Sequence, residues 1–266
     1  MPERAIGVFD SGVGGLTVLK ELRRQVPGEN LIYLGDTARV PYGTKSATTV
    51  LRYAHEAARF LLEQKVKLLV VACNTASAVA LESLAESYQV PVVGVIEPGA
   101  RRAIEVSVNG RIGVVGTEGT IRSGAYERAL RRERADVVVH TAACPLFVPL
   151  AEEGWAGHEV ARLTAREYLA PLLAEGIDTL VLGCTHYPLI KPMLQEIVGP
   201  QVRLVDSAQE TAKAVAAQLK MHRLQGQGQP VSTPRYFVTD IPDRFERVGG
   251  AFLGEPLQGV TTVSLD

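Results

Sequence analysis

Short apolar runs recur along the chain, and each is followed by glycine or by small polar residues. Residues 69–72 run directly into Cys73, and residues 180–182 run through Gly183 into Cys184. Apolar runs of this length, bounded by turn-prone residues, are typical of strands buried on both faces of a parallel sheet. Because stretches with helical spacing of apolar residues separate the runs, the pattern predicts an α/β fold with mainly parallel sheets.

The same pattern locates the individual elements. Strands are predicted at residues 6–9, 31–34, 68–72, 92–95, 111–117, 136–140, 179–182, 202–205, 235–238 and 259–264. Helices are predicted at residues 16–22, 48–64, 74–84, 119–132, 158–174, 207–224 and 243–252. Residues 97–99 predict a turn, and the Gly- and Gln-rich residues 225–230 predict a flexible linker.

The second half of the chain repeats the order of the first. The strand that begins at Ile6 has a counterpart 106 residues later at Ile112, and Cys73 has a counterpart 111 residues later at Cys184. We interpret these similar offsets as an old duplication of a strand–helix unit. The sequence therefore predicts two similar α/β domains.

The elements after the predicted linker are too few to bury a core of their own. We expect them to return to the first half and make its domain discontinuous. The predicted division assigns residues 1–97 and 207–266 to the first domain and residues 98–206 to the second.

The composition is that of an ordinary globular protein. Of 266 residues, 46% are hydrophobic and 21% are charged, so we expect a substantial core. A formal net charge of −1 argues against a nucleic-acid partner. No apolar run reaches the ~20 residues that span a bilayer, so we expect no membrane segment. Three cysteines, an odd number, predict no disulfide framework and fit a reducing cytoplasm.

Two of the cysteines lie where a predicted strand leads into a helix. Ligands bind at this edge of open α/β sheets. Backbone N–H groups and the helix dipole also attract anions there and lower the pKa of a thiol. Cys73 and Cys184 are therefore candidates for two thiols that serve one site from two halves. Cys144 precedes Pro145 in an apolar stretch, and we expect it to be buried and inert.

Three kinds of chemistry could use such cysteines. A metal site is disfavoured because no CxxC pair or close set of histidines accompanies them. A hydrolase with Cys184 as nucleophile and His186 as base would leave Cys73 without a task. Paired thiols suit stereoinversion at a carbon acid, in which one group removes a proton and the other returns a proton to the opposite face. With an ordinary pKa of ~8.5, thiol and thiolate are both accessible near neutral pH.

Five motifs resemble those of the cofactor-independent glutamate racemases and follow that family's order over nearly the whole chain. They are Asp10-Ser11-Gly12-x-Gly14-Gly15-Leu16, Gly35-Asp36-xxxx-Pro41-Tyr42-Gly43, Ala72-Cys73-Asn74-Thr75-Ala76, Gly116-Thr117-x-Gly119-Thr120 and Gly183-Cys184-Thr185-His186-Tyr187-Pro188. The resemblance implies an active site in the cleft between two α/β domains. It further implies that the reaction uses no cofactor and, in particular, no pyridoxal phosphate. It also implies that Cys73 handles the α-proton of D-glutamate and Cys184 that of L-glutamate.

The resemblance assigns roles to further polar residues. Asp10 is expected beside one thiol and the substrate, where it could hold the ammonium group. From sequence position alone, Asp10 and Ser11 could equally form a helix cap. His186 and Glu152 are the matching catalytic candidates near Cys184, where His186 could tune the thiol or relay protons. Asp10, Ser11 and His186 are also expected to contact the substrate.

Short hydrogen-bonding side chains at strand ends or helix starts are candidates to hold the two carboxylates of the substrate. They are Asn74, Thr75, Thr117, Thr120 and Thr185. Plain helix capping is the alternative role, and the two roles can coexist. Pro41, Tyr42 and Gly43 lie on a loop that we expect to close over the ligand and exclude water.

The sequence thus predicts a racemase that acts on L- and D-glutamate and, in bacteria, supplies D-glutamate for peptidoglycan. An aspartate racemase is disfavoured because its second cysteine motif usually reads Cys-Thr-Glu, whereas this chain has Cys184-Thr185-His186. A cysteine hydrolase and a non-catalytic amino-acid-binding protein are the alternatives from other classes. The family is commonly dimeric, so we expect a homodimer.

Overall fold

The computed structural model describes residues 4–226 and 233–265. Ten strands form in this part of the chain: Ile6–Asp10 (β1), Leu31–Gly35 (β2), Leu68–Val71 (β3), Val92–Gly94 (β4), Arg111–Gly116 (β5), Val138–Ala143 (β6), Thr179–Gly183 (β7), Arg203–Asp206 (β8), Arg235–Val238 (β9) and Val260–Thr262 (β10). The α-helices among the same residues are Leu16–Gln25 (α1), Ala47–Glu63 (α2), Asn74–Ser87 (α3), Ile96–Val106 (α4), Glu118–Arg122 (α5), Ala125–Glu133 (α6), Phe147–Glu152 (α7), Glu159–Ala174 (α8), Lys191–Val198 (α9), Ser207–Met221 (α10) and Pro242–Leu253 (α11). Short 3₁₀ helices form at Tyr42–Thr44 and Tyr187–Ile190.

The strands form two parallel sheets, which confirms the predicted fold class. The first has the order β10-β9-β2-β1-β3-β4 and the second the order β6-β5-β7-β8. Strands β2-β1-β3-β4 and β6-β5-β7-β8 thus repeat one topology. Its strand order reverses beside β1 and β5, and ligands bind at the carboxyl edge next to such a switch point. The equivalent strands β3 and β7 end just before Cys73 and Cys184.

Helices between the two sheets join them through a shared core. Helix α1 contacts α10, and α4 contacts both α10 and α6. One apolar cluster contains residues of both sheets, including Val8 of β1 and Val114 of β5. Separate clusters cover the outer faces, with α2 and α3 on the first sheet and α8 and α9 on the second. The shared core therefore fixes how the carboxyl edges of the two sheets face each other.

Two elements predicted for the second half differ clearly in the structure, which also forms helices α7 and α9 where none was predicted. The helix predicted at residues 119–132 is interrupted, because Gly124 adopts a left-handed conformation with φ of +64° between α5 and α6. The strand predicted at residues 136–140 is wrong in its bounds and forms at Val138–Ala143. Both errors concern where an element begins and ends, which neighbouring residues decide.

The turn predicted at residues 97–99 is also wrong, because these residues form the first turn of α4. Pro98 fits there because the first N–H groups of a helix have no partner within it. Most of the linker predicted at residues 225–230 lies outside the described residues.

The last elements extend the first sheet. Strand β9 pairs with β2, and β10 pairs with β9. This pairing supports our proposed division into residues 1–97 with 207–266 and residues 98–206. Among the described residues, no helix is both long and apolar enough to cross a membrane.

An ion pair is buried at the opposite, amino-terminal edge of the first sheet. Lys67 Nζ lies 2.5 Å from Glu29 Oε2, and their side chains are 1% and 5% exposed. Gly226 N–H donates to the other carboxylate oxygen of Glu29 at 2.6 Å. Removing one partner of such a pair leaves an uncompensated buried charge, at a cost of ~3–5 kcal/mol.

We therefore expect Lys67→Met to lower the free energy of unfolding by ~3–5 kcal/mol, measured by urea denaturation. Adding Glu29→Gln removes the stranded charge but keeps an acceptor for Gly226, so the double variant should regain most of the loss. Lys220→Met, at an exposed position of α10, should change stability by less than ~0.5 kcal/mol. Equal losses in the single and double variants would contradict this account.

Candidate active site

Two buried cysteines from equivalent strand ends line the same cavity. Cys73 is the N-cap of α3, and Cys184 directly follows β7. Cys73 and Cys184 are 6% and 7% exposed to solvent. The cavity is lined by Ser11, Val40, Pro41, Tyr42, Gly43, Cys73, Asn74, Thr75, Thr117, Val148, Gly183, Cys184, Thr185 and His186. Residues from both halves of the chain therefore form one site, as the repeated topology requires.

Cys73 lies in a buried environment with a carboxylate nearby. Its Sγ is 3.7 Å from Ser11 Oγ. Burial raises the pKa of Cys73 to about 12, and the negative charge of Asp10 adds to the shift. At neutral pH this group is therefore a thiol, ready to give a proton.

Cys184 has different partners. Its Sγ lies 3.8 Å from His186 Nδ1, while His186 Nε2 lies 3.0 Å from Glu152 Oε1. Burial disfavours a charged imidazole, but the hydrogen bonds to Cys184 and Glu152 outweigh it and raise the pKa of His186 to about 10. His186 is therefore a cation at neutral pH, and an adjacent cation stabilises negative charge on sulfur.

Glu152 completes this charged group. Burial alone would raise the pKa of Glu152, but hydrogen bonding and the charge of His186, with Arg244 behind it, lower the pKa below its usual value. Glu152 therefore stays a carboxylate and fixes the orientation of the His186 ring.

Asp10 connects the two halves. It is 1% exposed at the end of β1, and its Oδ2 accepts from Gly12 N–H at 2.9 Å. Thr185 Oγ1 donates to the other oxygen, Oδ1, at 3.3 Å. Burial raises the pKa of Asp10, although the charge of His186 acts in the opposite direction. Asp10 thus contacts Thr185, the chain neighbour of Cys184, from behind the cavity wall.

Three threonines form a second contact between the halves. Thr75 Oγ1 lies 2.9 Å from Thr117 Oγ1 and 3.1 Å from Thr120 Oγ1. Thr117 also caps α5, where its Oγ1 accepts from Thr120 N–H at 3.4 Å. Capping and a contact with the cavity therefore coexist in Thr117, whereas Thr120 lies behind the lining.

Asn74 presents an unused hydrogen-bond donor beside this cluster. Its Oδ1 accepts from Tyr126 O–H at 2.7 Å. Its Nδ2 is buried and has no partner among the described residues. Since Asn74 lines the cavity, this Nδ2 group can donate to a ligand there.

Residues 41–43 form a loop over the cavity, and side chains outside the cavity hold this loop in place. Tyr42 O–H donates to Asp36 Oδ2, and Arg39 Nε donates to the same oxygen at 2.7 Å. A Cβ on Gly43 would lie 2.5 Å from Thr117 Cβ, so the loop packs tightly against the second half. The hydroxyl of Tyr42 is therefore committed to Asp36, and the ring and backbone of the loop face the cavity.

Most residues that the sequence predicted for the site line this cavity. Of the predicted set, Asp10, Thr120 and Glu152 do not line it but contact residues that do. Cys144 is buried in the core of the second half, where burial raises its pKa to about 12. In residues 4–226 and 233–265, no group of three His, Cys, Asp or Glu side chains is arranged to hold a metal ion.

Sequence reasoning assigned no role to several residues that build the site. Asp36 had a readable signal, since it is a polar residue at the end of a predicted strand. Gly14 belongs to a quoted motif, but its tight fit against the second half was not predicted. Tyr126 and Arg244 carry no local signal, because their contacts join distant parts of the chain.

Comparison with solved structures defines the class of protein. The chain matches a glutamate racemase isoform from Bacillus anthracis with a TM-score of 0.96 and 41% identity, covering 100% of this chain and 99% of that one. It matches a glutamate racemase from Francisella tularensis, solved with D-glutamate, with a TM-score of 0.94 and 39% identity over 100% and 99% of the two chains. The protein is a racemase, and thus an isomerase.

The family follows from the sequence. Residues 6–215 match the model of the Asp/Glu/Hydantoin racemase family, and the chain belongs to that family. A glutamate racemase from Geobacter metallireducens is 60% identical over 100% of this chain and 98% of its own length. The resemblance identified from the five motifs is confirmed. An aspartate racemase from Picrophilus torridus shares the fold, with a TM-score of 0.57 at 16% identity.

A substitution at Gly14 tests how closely the two halves of the chain must pack. A Cβ there would lie 2.2 Å from Thr185 Oγ1 and 2.5 Å from His186 Nδ1, so Gly14→Ala must push the halves apart. We expect kcat/KM for racemisation to fall by ~100-fold, because a misplacement of about 1 Å costs that much. Gly12→Ala is the matched control, since its Cβ would meet only Val40, at 3.4 Å. A control as impaired as Gly14→Ala would argue against this packing constraint.

The raised pKa of His186 predicts a pH-dependent contribution to stability. The folded state favours the imidazolium, so the contribution is full below the ordinary value of 6.5 and is lost as pH rises through about 10. We expect the free energy of unfolding of the wild type to exceed that of His186→Asn by an amount that shrinks over this range. Urea denaturation at a series of pH values measures the difference, and a constant difference would refute the expectation.

Proposed function

We propose that the protein interconverts L- and D-glutamate by proton transfer at the α-carbon, with Cys73 and Cys184 as the two bases. The observation that carries this proposal is the convergence of both thiols on one cavity from equivalent strand ends. Inversion at carbon needs an acid and a base on opposite faces, and two such cysteines meet that need.

The two environments support an asymmetric resting state. Cys73 holds its proton because of burial and the charge of Asp10. The Sγ atom of Cys184 lies 3.8 Å from Nδ1 of the cationic His186 ring, so we assign Cys184 the role of the first base. The Cys184 thiolate takes the α-proton of L-glutamate, and the electron pair of the C–H bond stays on the carbon as a carbanion. The Cys73 thiol then gives its proton to the opposite face, and D-glutamate forms.

The return direction reverses these roles. After one turnover Cys73 is a thiolate and Cys184 is a thiol, so D-glutamate loses its proton to Cys73. Asp10, whose pKa is raised by burial, can accept or hold a proton and so offset charge beside Cys73. Glu152 and His186 perform the equivalent task for Cys184.

The polar lining supports a small dicarboxylate as substrate. Asn74 Nδ2 is a buried donor without a protein partner in the described chain. The hydroxyl groups of Thr75 and Thr117 and the N-terminus of α3 supply further donors for carboxylate oxygens, and Thr185 lines the same cavity. We assign the ammonium group to the neighbourhood of Asp10 and Ser11, and the loop at Tyr42 to the exclusion of water.

Glutamate is favoured over aspartate as the substrate. Glutamate racemases from Geobacter metallireducens and Chlorobaculum tepidum are 60% and 45% identical to this chain over 100% and 98% of its length. An aspartate racemase and an aspartate racemase homologue share 16% and 17% identity with it and so support the fold alone.

We propose that the cleft opens during turnover. The cavity measures about 20 Å³, room for about one water molecule. An amino acid needs more space, which separation of the two halves would supply, and closure would then surround the reacting carbon with protein. We further propose a cytoplasmic homodimer that supplies D-glutamate for peptidoglycan.

Incubation with L-glutamate in D₂O tests the two-base scheme. We expect circular dichroism to decay to zero, and at early times the D-glutamate product should carry deuterium at the α-carbon while the remaining L-glutamate does not. Cys73→Ser and Cys184→Ser should each lower kcat/KM by ~10²–10⁴-fold. Because the enantiomers have equal free energies in water, the fall must be the same in both directions. Cys144→Ala is the matched control and should stay within about twofold of the wild type.

Three outcomes would reject parts of this proposal. If racemisation survives either substitution, Cys73 and Cys184 are not the two bases. If aspartate is turned over as fast as glutamate, glutamate is not the preferred substrate. Hydrolytic activity that depends on Cys184 and not on Cys73 would favour the cysteine hydrolase instead.

A further inference from the structure

The Glu152–His186 pair has partners on α11, a helix that packs against α1 over the first sheet. Arg244 Nη2 donates to Glu152 Oε2 at 3.2 Å. The ring of Phe252 lies edge-on to the ring of His186, with centroids 5.3 Å apart. Helix α11 thus reaches across from the first half to both members of a pair carried by the second half.

Glu152 lies where the backbone turns out of a helix into an exposed stretch. It is the last residue of the short helix α7, and residues 153–155 after it are exposed. Backbone hydrogen bonds hold this turn, including one from Trp155 N–H to the Leu150 carbonyl at 2.9 Å. They do not fix the side-chain torsions of Glu152, so the position of its carboxylate depends on its side-chain partners.

The two carboxylate oxygens of Glu152 contact two different cations. Oε1 faces His186 Nε2 at 3.0 Å, and Oε2 faces Arg244. Facing His186 in turn are Glu152, Cys184 and Asp10. Without Arg244, Oε2 would lose its charged partner, and the carboxylate would be freer to rotate away from the imidazole.

We propose that Arg244 is a positioning residue, which holds Glu152 so that His186 stays directed at Cys184. The role of this contact in turnover rests on the proposed function. Arg244 is 57% exposed, so solvent screens its charge and the effect is modest. Because the contact joins the two halves, it forms when the cleft closes and breaks when the cleft opens, which limits the organised pair to the closed enzyme.

The kinetic test is a double-mutant cycle with Glu152. We expect Arg244→Met to lower kcat/KM for racemisation about three- to tenfold, and Arg244→Lys to restore part of the loss. Arg247→Met removes an exposed arginine of the same helix and should stay within about twofold of the wild type. In a Glu152→Gln background, Arg244→Met should cause no further loss. A full loss in that background, or equal losses in the Arg247 variant, would overturn the proposal.

A second measurement separates this inference from the reaction itself. In the substrate-free protein, the hydrogen-bonded Nε2–H proton of His186 should give a downfield ¹H NMR signal, assigned by its loss in Glu152→Gln. We expect the signal to move upfield and exchange faster with water in Arg244→Met, and to stay unchanged in Arg247→Met. An unchanged signal in Arg244→Met would overturn the inference whether or not glutamate is the substrate. Failure of the cysteine variants to affect turnover, with the NMR result as expected, would reject the proposed function alone.

Discussion

The structure depends on one constraint: the carboxyl edges of two parallel sheets must face each other closely enough to share a cavity. Neither sheet can build the site alone, because each contributes one cysteine and part of the polar lining. Buried hydrogen bonds join the halves at this point. Thr185 joins Asp10 through its hydroxyl, and its carbonyl accepts from Thr17 Oγ1 at 3.2 Å. Buried hydrogen bonds of this kind hold the relative orientation of the halves, since leaving either partner unsatisfied is costly.

Duplication of a topology does not duplicate the chemistry. Cys73 and Cys184 follow equivalent strands, yet one faces a carboxylate in a dry environment and the other faces a cationic imidazole. Burial disfavours a thiolate, and a neighbouring cation offsets that cost. Side chains at the two strand ends therefore create the difference between the two thiols. Asp10 is the charged neighbour of Cys73, whereas His186, hydrogen-bonded to Glu152, is the neighbour of Cys184.

The same tight contact that organises the site also limits access to it. Gly14 and Gly43 allow the halves to approach to within van der Waals contact, and a side chain at either position would separate them. Close approach excludes water, which strengthens electrostatic interactions inside the cavity. The cavity measures about 20 Å³, and the opening that we propose would admit the substrate by separating the two halves. Exposed contacts such as Arg244–Glu152 are weak enough to suit such an opening.

Local patterns in the sequence determined the fold class, the strand ends and the residues at them. A buried strand is visible in the sequence as an apolar run, and the residue at the end of the run lies at the carboxyl edge of the sheet in any parallel arrangement. For this reason Asp10, Cys73 and Cys184 could be predicted as site residues. Element bounds such as the break at Gly124 were missed because they depend on backbone conformation at one residue. Only the tertiary structure decided that Arg244 meets Glu152 and that Tyr126 meets Asn74. Those contacts join residues 92 and 52 positions apart, and no periodicity records a partner at that distance.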